Sequence, residues 1–596
     1  MKRWRTKALI LAGVALAAAI PAIGQETPES LLPPGFGDPA TLPPPVQNSV
    51  APATPAPSRQ APPAEDTVVT DADETDLEAL ANAGPPRQPG AFDLPERARR
   101  DPARAGVLGP GNWGIGEDAF ASADGRFLSS LMRRLDAPLP SRWTSILLRR
   151  ALLTQAAPPS GVQPVDWVAE RAWLLLRMGE ADAARLLVQQ VDVDRYSPKM
   201  MDVAVQTALA TADPAALCPL VAPGRKMSDQ PIWLFADAMC AAMAGESGRA
   251  STLIDEARRK NGSGIDLALA EKIVGAGSDT RRAANLEWEG VDGLNSWRFG
   301  MAAAIGAEIP ERLMVNAAPQ MWAWQARAPM IPLDRRLPAV NVAASLGILS
   351  NASMVEIYSL AGDRTDPAEL RGSIAEQLGA AYTGSVEDRL VALRRLWDAE
   401  GTPALKHARL ILTAAAAARI APSLDREADA AQLVAAMLTA GLDRRAALWW
   451  PSVSRMNGDS GYRAWSLLAV AAPGISPDGG RLGDAIDNDA GEGKLRSRLL
   501  VAALAGLGRI NSETAGRYAG DLGIDFNSEN TWTRAIDRAA QRRQRGAVAV
   551  LAATGMQTAD WQGVPPAHLY RIVRALRAVG MDYEARMIAA EALYRA

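Results

Sequence analysis

Four stretches of this chain share one signature, and that signature restricts the fold more than anything else in it. They read RAWLLLRMGEADAARLLVQQ around Gly179, FADAMCAAMAGESGRASTLIDEA around Gly245, LVAAMLTAGLDRRAALWW around Gly441, and HLYRIVRALRAVGMDYEARMIAAEALYRA around Gly580. In each, an alanine stands five residues after the glycine (Ala184, Ala250, Ala446, Ala585) and a larger apolar residue eight after it (Leu187, Leu253, Trp449, Ile588). Glycine lets the chain turn out of one helix, and the small alanine lets the next helix pack closely on the first. The terminal copy shows the period plainly. Leu569, Ile572, Val573 and Leu576 fall at i, i+3, i+4 and i+7, as do Ala585, Ile588, Ala589 and Ala592 in the second helix. Arg571, Arg574 and Arg577 are expected on the far side of the first helix. One such hairpin cannot bury its apolar face alone, so the pattern demands stacked neighbours.

The glycines at 179 and 245 lie 66 residues apart, and those at 245 and 441 lie 196 apart. Both intervals approximate multiples of about 33, the size of a helix-turn-helix repeat. These residues resemble tetratricopeptide repeats, whose turn reads roughly Gly-Asp/Asn-x-x-x-Ala with a further alanine seven residues on. Ala257 and Ala592 match that second alanine, whereas Val191 and Val453 do not, and the family's prolines at repeat ends are mostly missing. A generic α-solenoid describes the chain equally well. The resemblance implies a curved superhelix used for binding, with no catalysis of its own.

Helix starts elsewhere agree with an all-α class. Arg126 to Leu135 predicts a helix, broken by Pro138 and Pro140, after which Ser141 caps a second that carries Trp143, Ile146 and Leu147. Asp366-Pro367-Ala368-Glu369 supplies an N-cap, a proline at N1 and an acid at N3. Ser385 to Asp388 forms a capping-box pattern ahead of Leu390, Leu393 and Trp397. No sustained alternation of Val, Ile and Thr supports strands.

The N-terminal part is organised differently. MKRWRTK is a cationic n-region and Ala8 to Ile20 an apolar h-region too short to span a bilayer comfortably. Pro21 breaks the run, and Ala22-Ile23-Gly24 offers a cleavage site before Gln25. The expectation is a secretory signal peptide over 1–24, cut after Gly24, and a periplasmic protein of a Gram-negative envelope. An uncleaved signal-anchor in the inner membrane is the alternative. No later segment is apolar for long enough to cross a membrane. From 25 to 120 the chain reads as a Pro/Ala-rich disordered linker, since 18 of the 42 prolines lie between Gln25 and Pro110. Within it, Glu65 to Glu78 forms an acidic patch, with Asp76 to Ala81 able to form a short helix. Ala105 to Phe120 is glycine-rich around Trp113 and reads as an irregular strap on the body. Residues 121–596 are expected to form the helical repeat domain.

Composition excludes some functions. Net charge is −3, and −7 once Lys2, Arg3, Arg5 and Lys7 are removed with the signal, which is the wrong sign for a general nucleic-acid binder. His407 and His568 are the only imidazoles and stand far apart. Gly458-Asp459-Ser460-Gly461 is similar to the nucleophile region of trypsin-like proteases, but it sits between helices and lacks the residues that would follow. Glu246-Ser247 is similar to the catalytic glutamate motif of lytic transglycosylases, but it lies in a repeat turn. The run from Asp487 begins like a calcium loop and ends on Arg498 where a glutamate is needed. No catalytic residue, cofactor or metal is therefore expected. Cys218 and Cys240, at the ends of adjacent predicted helices, are expected to form a disulfide in an oxidising periplasm. Trp322, Trp324, Trp449 and Trp450 are candidate ligand-contact aromatics, because neither close pair can place both rings on one helical core face. The expected function is a non-catalytic periplasmic scaffold binding envelope proteins or peptide segments. The alternative is a cell-wall hydrolase or a carbohydrate-binding accessory that contacts peptidoglycan.

Overall fold

The computed structural model describes residues 98–261, 264–278 and 285–596. The assignments of a signal peptide, linker and acidic patch within 1–97 lie outside the described residues. The described chain is all-α, with no strands and two isolated bridges, Leu108 with Thr154 and Asp124 with Ser160.

The four signature glycines sit where the pattern requires them. Gly179, Gly245, Gly441 and Gly580 have φ of 88°, 80°, 73° and 82°, a left-handed conformation that a Cβ would strain. Each closes its helix in the same way. The glycine N–H donates three residues back and the next N–H donates five back, as in Gly580 to Arg577 at 3.0 Å and Met581 to Leu576 at 2.9 Å. The alanines five residues on are fully buried in all four turns, and so are the larger residues at Leu187, Trp449 and Ile588. The hairpins are Pro164–Arg177 with Ala181–Val188, Pro231–Met243 with Ser247–Asn261, Glu427–Thr439 with Asp443–Ala447, and Pro566–Ala578 with Asp582–Arg595.

Capping follows the sequence in most places. Ser141 accepts from the Thr144 N–H at the start of Arg142–Leu153, and Ser385 and Asp388 form the complete capping box of Val386–Asp398. Leu390, Leu393 and Trp397 are buried as expected. Asp366 makes no cap bond, and the helix it precedes, Pro367–Leu370, spans only 4 residues. Arg571, expected on the solvent side, is instead buried between Asp537 and the Phe526 carbonyl. Arg574 and Arg577 stay exposed on that far side as expected, so only the first arginine of the row became an internal ion pair.

The strap begins earlier than the linker boundary at residue 120 implies. Arg99 pairs with Asp194 at 2.8 Å, the Arg171 guanidinium donates to the Ala105 carbonyl at 2.7 Å, and the Val107 N–H donates to the Leu153 carbonyl at 2.9 Å. Phe120 is fully buried, 5.1 Å from the Trp167 ring and edge-on to it. The last part of the predicted linker, from Ala98, therefore lies against the helices. Fixed arginines and one buried aromatic hold it there.

Neighbouring hairpins pack on one another, and the first helices of the array also return onto its last. Helix Arg142–Leu153 packs against Arg545–Thr554 and against the C-terminal helix Asp582–Arg595. The C-terminal helix in turn touches Asp459–Ala471, Pro566–Ala578, Leu495–Leu507 and Glu427–Thr439. Its Glu591 is wholly buried. The carboxylate accepts from Ser141 Oγ at 2.7 Å and from the Arg142 and Trp143 N–H groups at 2.8 and 2.9 Å. Arg595 balances its charge at 3.2 Å. A carboxylate at a helix N-terminus meets both orphan N–H groups and the positive end of the helix dipole.

The cysteine pair is joined, Cys218 to Cys240, across a sequence separation of 22. Cys218 closes the short 3-10 helix Pro214–Leu217 as its C-cap and also opens helix Cys218–Met227, because Pro219 is tolerated at the first turn. Two outcomes follow. Glu591→Ala should lower unfolding free energy by about 3–5 kcal/mol, since it strands Arg595 and the helix N-terminus, and urea titration measures it. Cys240→Ser should cost about 3 kcal/mol by the chain-entropy account, read as a lower thermal midpoint that reductant does not lower further.

Candidate functional site

Two cavities open between the helices of the array. The larger, of about 720 Å³, forms where turns meet: Glu180–Ala183 after Gly179, Gly347–Ser353, and Thr439–Leu442 around Gly441 line it with Arg142 and Arg149. The charged groups there are committed to structure. Arg149 donates to Glu180 at 2.6 Å and to the Gly347 carbonyl at 2.8 Å. Arg142 donates to the carbonyls of Thr439 at 3.3 Å and Leu349 at 3.1 Å, and to that of Ala344. Burial holds the Arg142 guanidinium down at about 10, and burial raises the Glu180 carboxyl against the pull of Arg149. These side chains tie three turns together, and the cavity is a structural junction.

The second cavity, of about 600 Å³, is an apolar groove between helices Leu333–Ser345, Asn351–Arg364, Ile374–Tyr382 and Pro403–Ala417. Leu337, Val342, Ala361, Ile374 and Leu405 make its walls. Its polar lining residues are Asp334, Asn341, Tyr358, Thr365, Ser373, Thr402 and Arg409; the Thr365 hydroxyl donates to the Ala361 carbonyl, and those of Ser373 and Thr402 accept from the Glu376 and Leu405 N–H groups. Pro338 lies inside its helix and has no N–H for the Asp334 carbonyl, and both residues line the groove. The Tyr358 hydroxyl donates to Asn341 Oδ1 at 3.1 Å, and burial raises its phenol pKa. Arg409 is turned onto the Ala399 and Glu400 carbonyls. Apolar walls with a few convergent polar groups suit an apolar peptide segment or small ligand.

The aromatic candidates are mostly core. Trp324 and Trp449 are 6% and 1% exposed, which removes them as ligand contacts. Trp324 lies 5.8 Å from Phe299, and the half-buried Trp322 packs on the cluster that contains Ala323 and Val340. Helix Pro319–Arg327 has neighbours on both sides, so two rings on opposite faces both find cover. Trp450 is half-buried and stacks on Trp465 at 6.1 Å. Among the described residues the strongly exposed tryptophan is Trp113, at 74%, with the Arg150 guanidinium 5.8 Å from its ring.

The remaining motifs have structural partners. His407 is buried with Tyr594 Oη 3.4 Å from its Nε2, and burial beside Arg595 and Arg142 holds its pKa well below the usual range. His568 Nδ1–H donates to the Gly555 carbonyl at 2.9 Å and its ring lies 4.3 Å from Trp532. Ser460 Oγ accepts from the Ala431 N–H at 3.1 Å, and Glu246 pairs with Arg249 at 2.8 Å. Asp489 caps its loop through the Ser497 N–H at 3.0 Å and Ser497 Oγ at 2.7 Å. Among the described residues no group of three or more His, Cys, Asp or Glu is placed to hold a metal, and no helix is long and apolar enough to cross a membrane.

No known protein family, curated protein or solved structure matches this chain.

One carboxyl stands apart. Burial raises Asp202, on helix Pro198–Ala210, from 3.8 to about 6, and it lines neither cavity. A folded-state pKa above the unfolded value means that the folded chain binds the proton more tightly, so stability falls as pH rises from about 4 to 6. Asp202→Asn should therefore be more stable than wild type at pH 7, by on the order of 1 kcal/mol for a half-exposed group. The gain should vanish at pH 3 in urea titrations at the two pH values.

Proposed function

We propose that the protein is a non-catalytic periplasmic scaffold that binds a peptide segment of an envelope protein on an array of tetratricopeptide-like hairpins. The observation that carries this reading is the apolar groove between Leu333–Ser345 and Pro403–Ala417, rimmed by the Asn341–Tyr358 pair. An extended or helical apolar segment would lie against Leu337, Ile374 and Leu405, with the Asp334 carbonyl at its edge. The signal-peptide pattern of 1–24 and the Cys218–Cys240 bond support export to an oxidising compartment. The four buried alanines five residues after the turn glycines support the tetratricopeptide likeness.

A photo-crosslinker at Ala361, introduced in the cell, should trap a discrete partner. Leu337→Glu should weaken binding of that partner's peptide at least about tenfold, because it buries an unpaired charge in the groove. An undiminished affinity in the folded variant would remove the groove from the reading.

Trp113 favours a second reading, as a carbohydrate-binding accessory of the cell wall. A rigid exposed ring of this kind can stack on a sugar. Peptidoglycan pull-down separates the two readings. Loss of cell-wall binding in Trp113→Ala supports the accessory, and equal retention of wild type and Leu337→Glu, with loss in Trp113→Ala, would displace the peptide scaffold.

A further inference from the structure

A third cavity lies on the opposite side of the chain order, where the start of the array meets its end. It measures about 350 Å³ and is walled by the first helix, Gly125–Arg134, and by helices Thr531–Gln541 and Arg545–Thr554. Its floor is apolar, with Leu128 and Leu551 buried and Phe127 43% exposed. Along one edge stand Arg534, Arg538 and Arg542, four residues apart and therefore stacked on one face of Thr531–Gln541 and its C-cap. All three are exposed, and among the described residues no carboxylate is within ion-pair distance of any of them. Asp537, between them in sequence, is held on another face by Arg571 and Arg574. The single carboxylate lining the groove, Asp124, accepts from the Phe127 N–H as a helix cap. By contrast, Arg394 is paired with Asp429, and Arg509 is turned onto the Ala469 and Ala472 carbonyls. This ladder is left open.

The same chain carries the complementary surface. Between Arg59 and Arg87 there are seven carboxylates and no lysine or arginine, and the run ends in Thr75-Asp76-Leu77-Glu78-Ala79-Leu80-Ala81. Leu77 and Leu80 offer apolar groups three residues apart, flanked by acids. Ala81 is separated from the strap at Ala98 by 17 residues, a reach of up to about 60 Å. The strap itself ends in the groove wall: Ala119 accepts from the Gly546 N–H at 2.8 Å, and Ser122 Oγ accepts from Gln544 at 3.2 Å. The tether leaves the body at Ala98, beside Asp194, and a linker of this reach raises the local concentration of the acidic segment above that of a free peptide.

We propose that residues 65–81 dock in cis in this arginine-edged groove, with Leu77 and Leu80 on Phe127 and Leu551 and the carboxylates along Arg534, Arg538 and Arg542. The groove is distinct from the Leu337–Leu405 groove, and this inference stands whether or not that one binds peptides.

The full-length exported protein tests it. A photo-crosslinker replacing Ala79 should join the segment to residues within 122–128 or 531–551 of the same molecule, mapped by mass spectrometry. The yield should fall about tenfold when salt rises from about 0.05 to 0.5 M, because exposed ion pairs are screened. It should fall equally in the triple variant Arg534→Glu, Arg538→Glu, Arg542→Glu. Adding Asp71→Lys, Asp73→Lys and Asp76→Lys should restore it, which a merely unfolded variant would not do. Crosslinks elsewhere on the body, crosslinks between labelled and unlabelled copies, or a yield indifferent to charge reversal would each overturn the proposal.

Discussion

The fold depends on one buried carboxylate. Glu591, at the C-terminal end of the chain, receives the N-terminal end of helix Arg142–Leu153 through a hydroxyl and two backbone N–H groups. Burying an ionised carboxylate is costly unless it is paired and hydrogen-bonded, and here the helix end, Ser141 and Arg595 together satisfy it. The residue next to the cap extends the bond outward, because the Arg142 guanidinium reaches carbonyls near Gly347 and before Gly441. Regions hundreds of residues apart are thereby fixed around one helix end. Tyr594 and His407, close to the same cluster, are kept neutral by burial. The only deeply buried imidazole of the chain thus belongs to its core.

This junction sets the character of the other surfaces. A free row of hairpins presents two open ends. Here the first helices lie on the last, so the ends meet and create a seam of their own, the groove between Gly125–Arg134 and Thr531–Gln541. The apolar Leu337 groove lies on a different set of helices, backed by Ala339, Val340, Ala343 and Ile411. The large cavity near Arg142 is lined by charges that hold turns. The three differ in how their polar groups are satisfied: those near Arg142 are bonded to turn carbonyls and carboxylates, whereas Arg534, Arg538 and Arg542 carry no ion pair among the described residues.

Legibility in the sequence followed the range of the interactions. The turn glycines, their alanines, the Ser385 capping box and the Cys218–Cys240 pair all rest on contacts within one hairpin or its neighbour, and each is where the sequence places it. Other turns of the same hydrogen-bond pattern carry no glycine. At Ala212 and Arg543, non-glycine residues take φ of 52° and 56° and close their helices identically, so these turns lack the glycine signature. The tryptophans failed for a related reason. Two rings on opposite faces of a helix imply an exposed one only if the helix is covered on one side, and Pro319–Arg327 is covered on both. The groove residues Leu337, Tyr358 and Ile374 come from segments without the repeat signature, and a Pro338 inside a helical pattern was the one local sign of them.

The sequence by itself determined the all-α class, the hairpin turns, their buried small residues and the disulfide, because helix periodicity, φ preference and short-range packing act over a few tens of residues. Only the tertiary structure decided that the terminal helix is the hub, that Trp324 and Trp449 are core, that Arg571 is internal, and where the grooves lie. Those outcomes depend on which distant helices meet. A carboxylate such as Glu591 looks like any solvent-facing residue of an amphipathic helix until the N-terminus of another helix, 450 residues earlier, is placed against it.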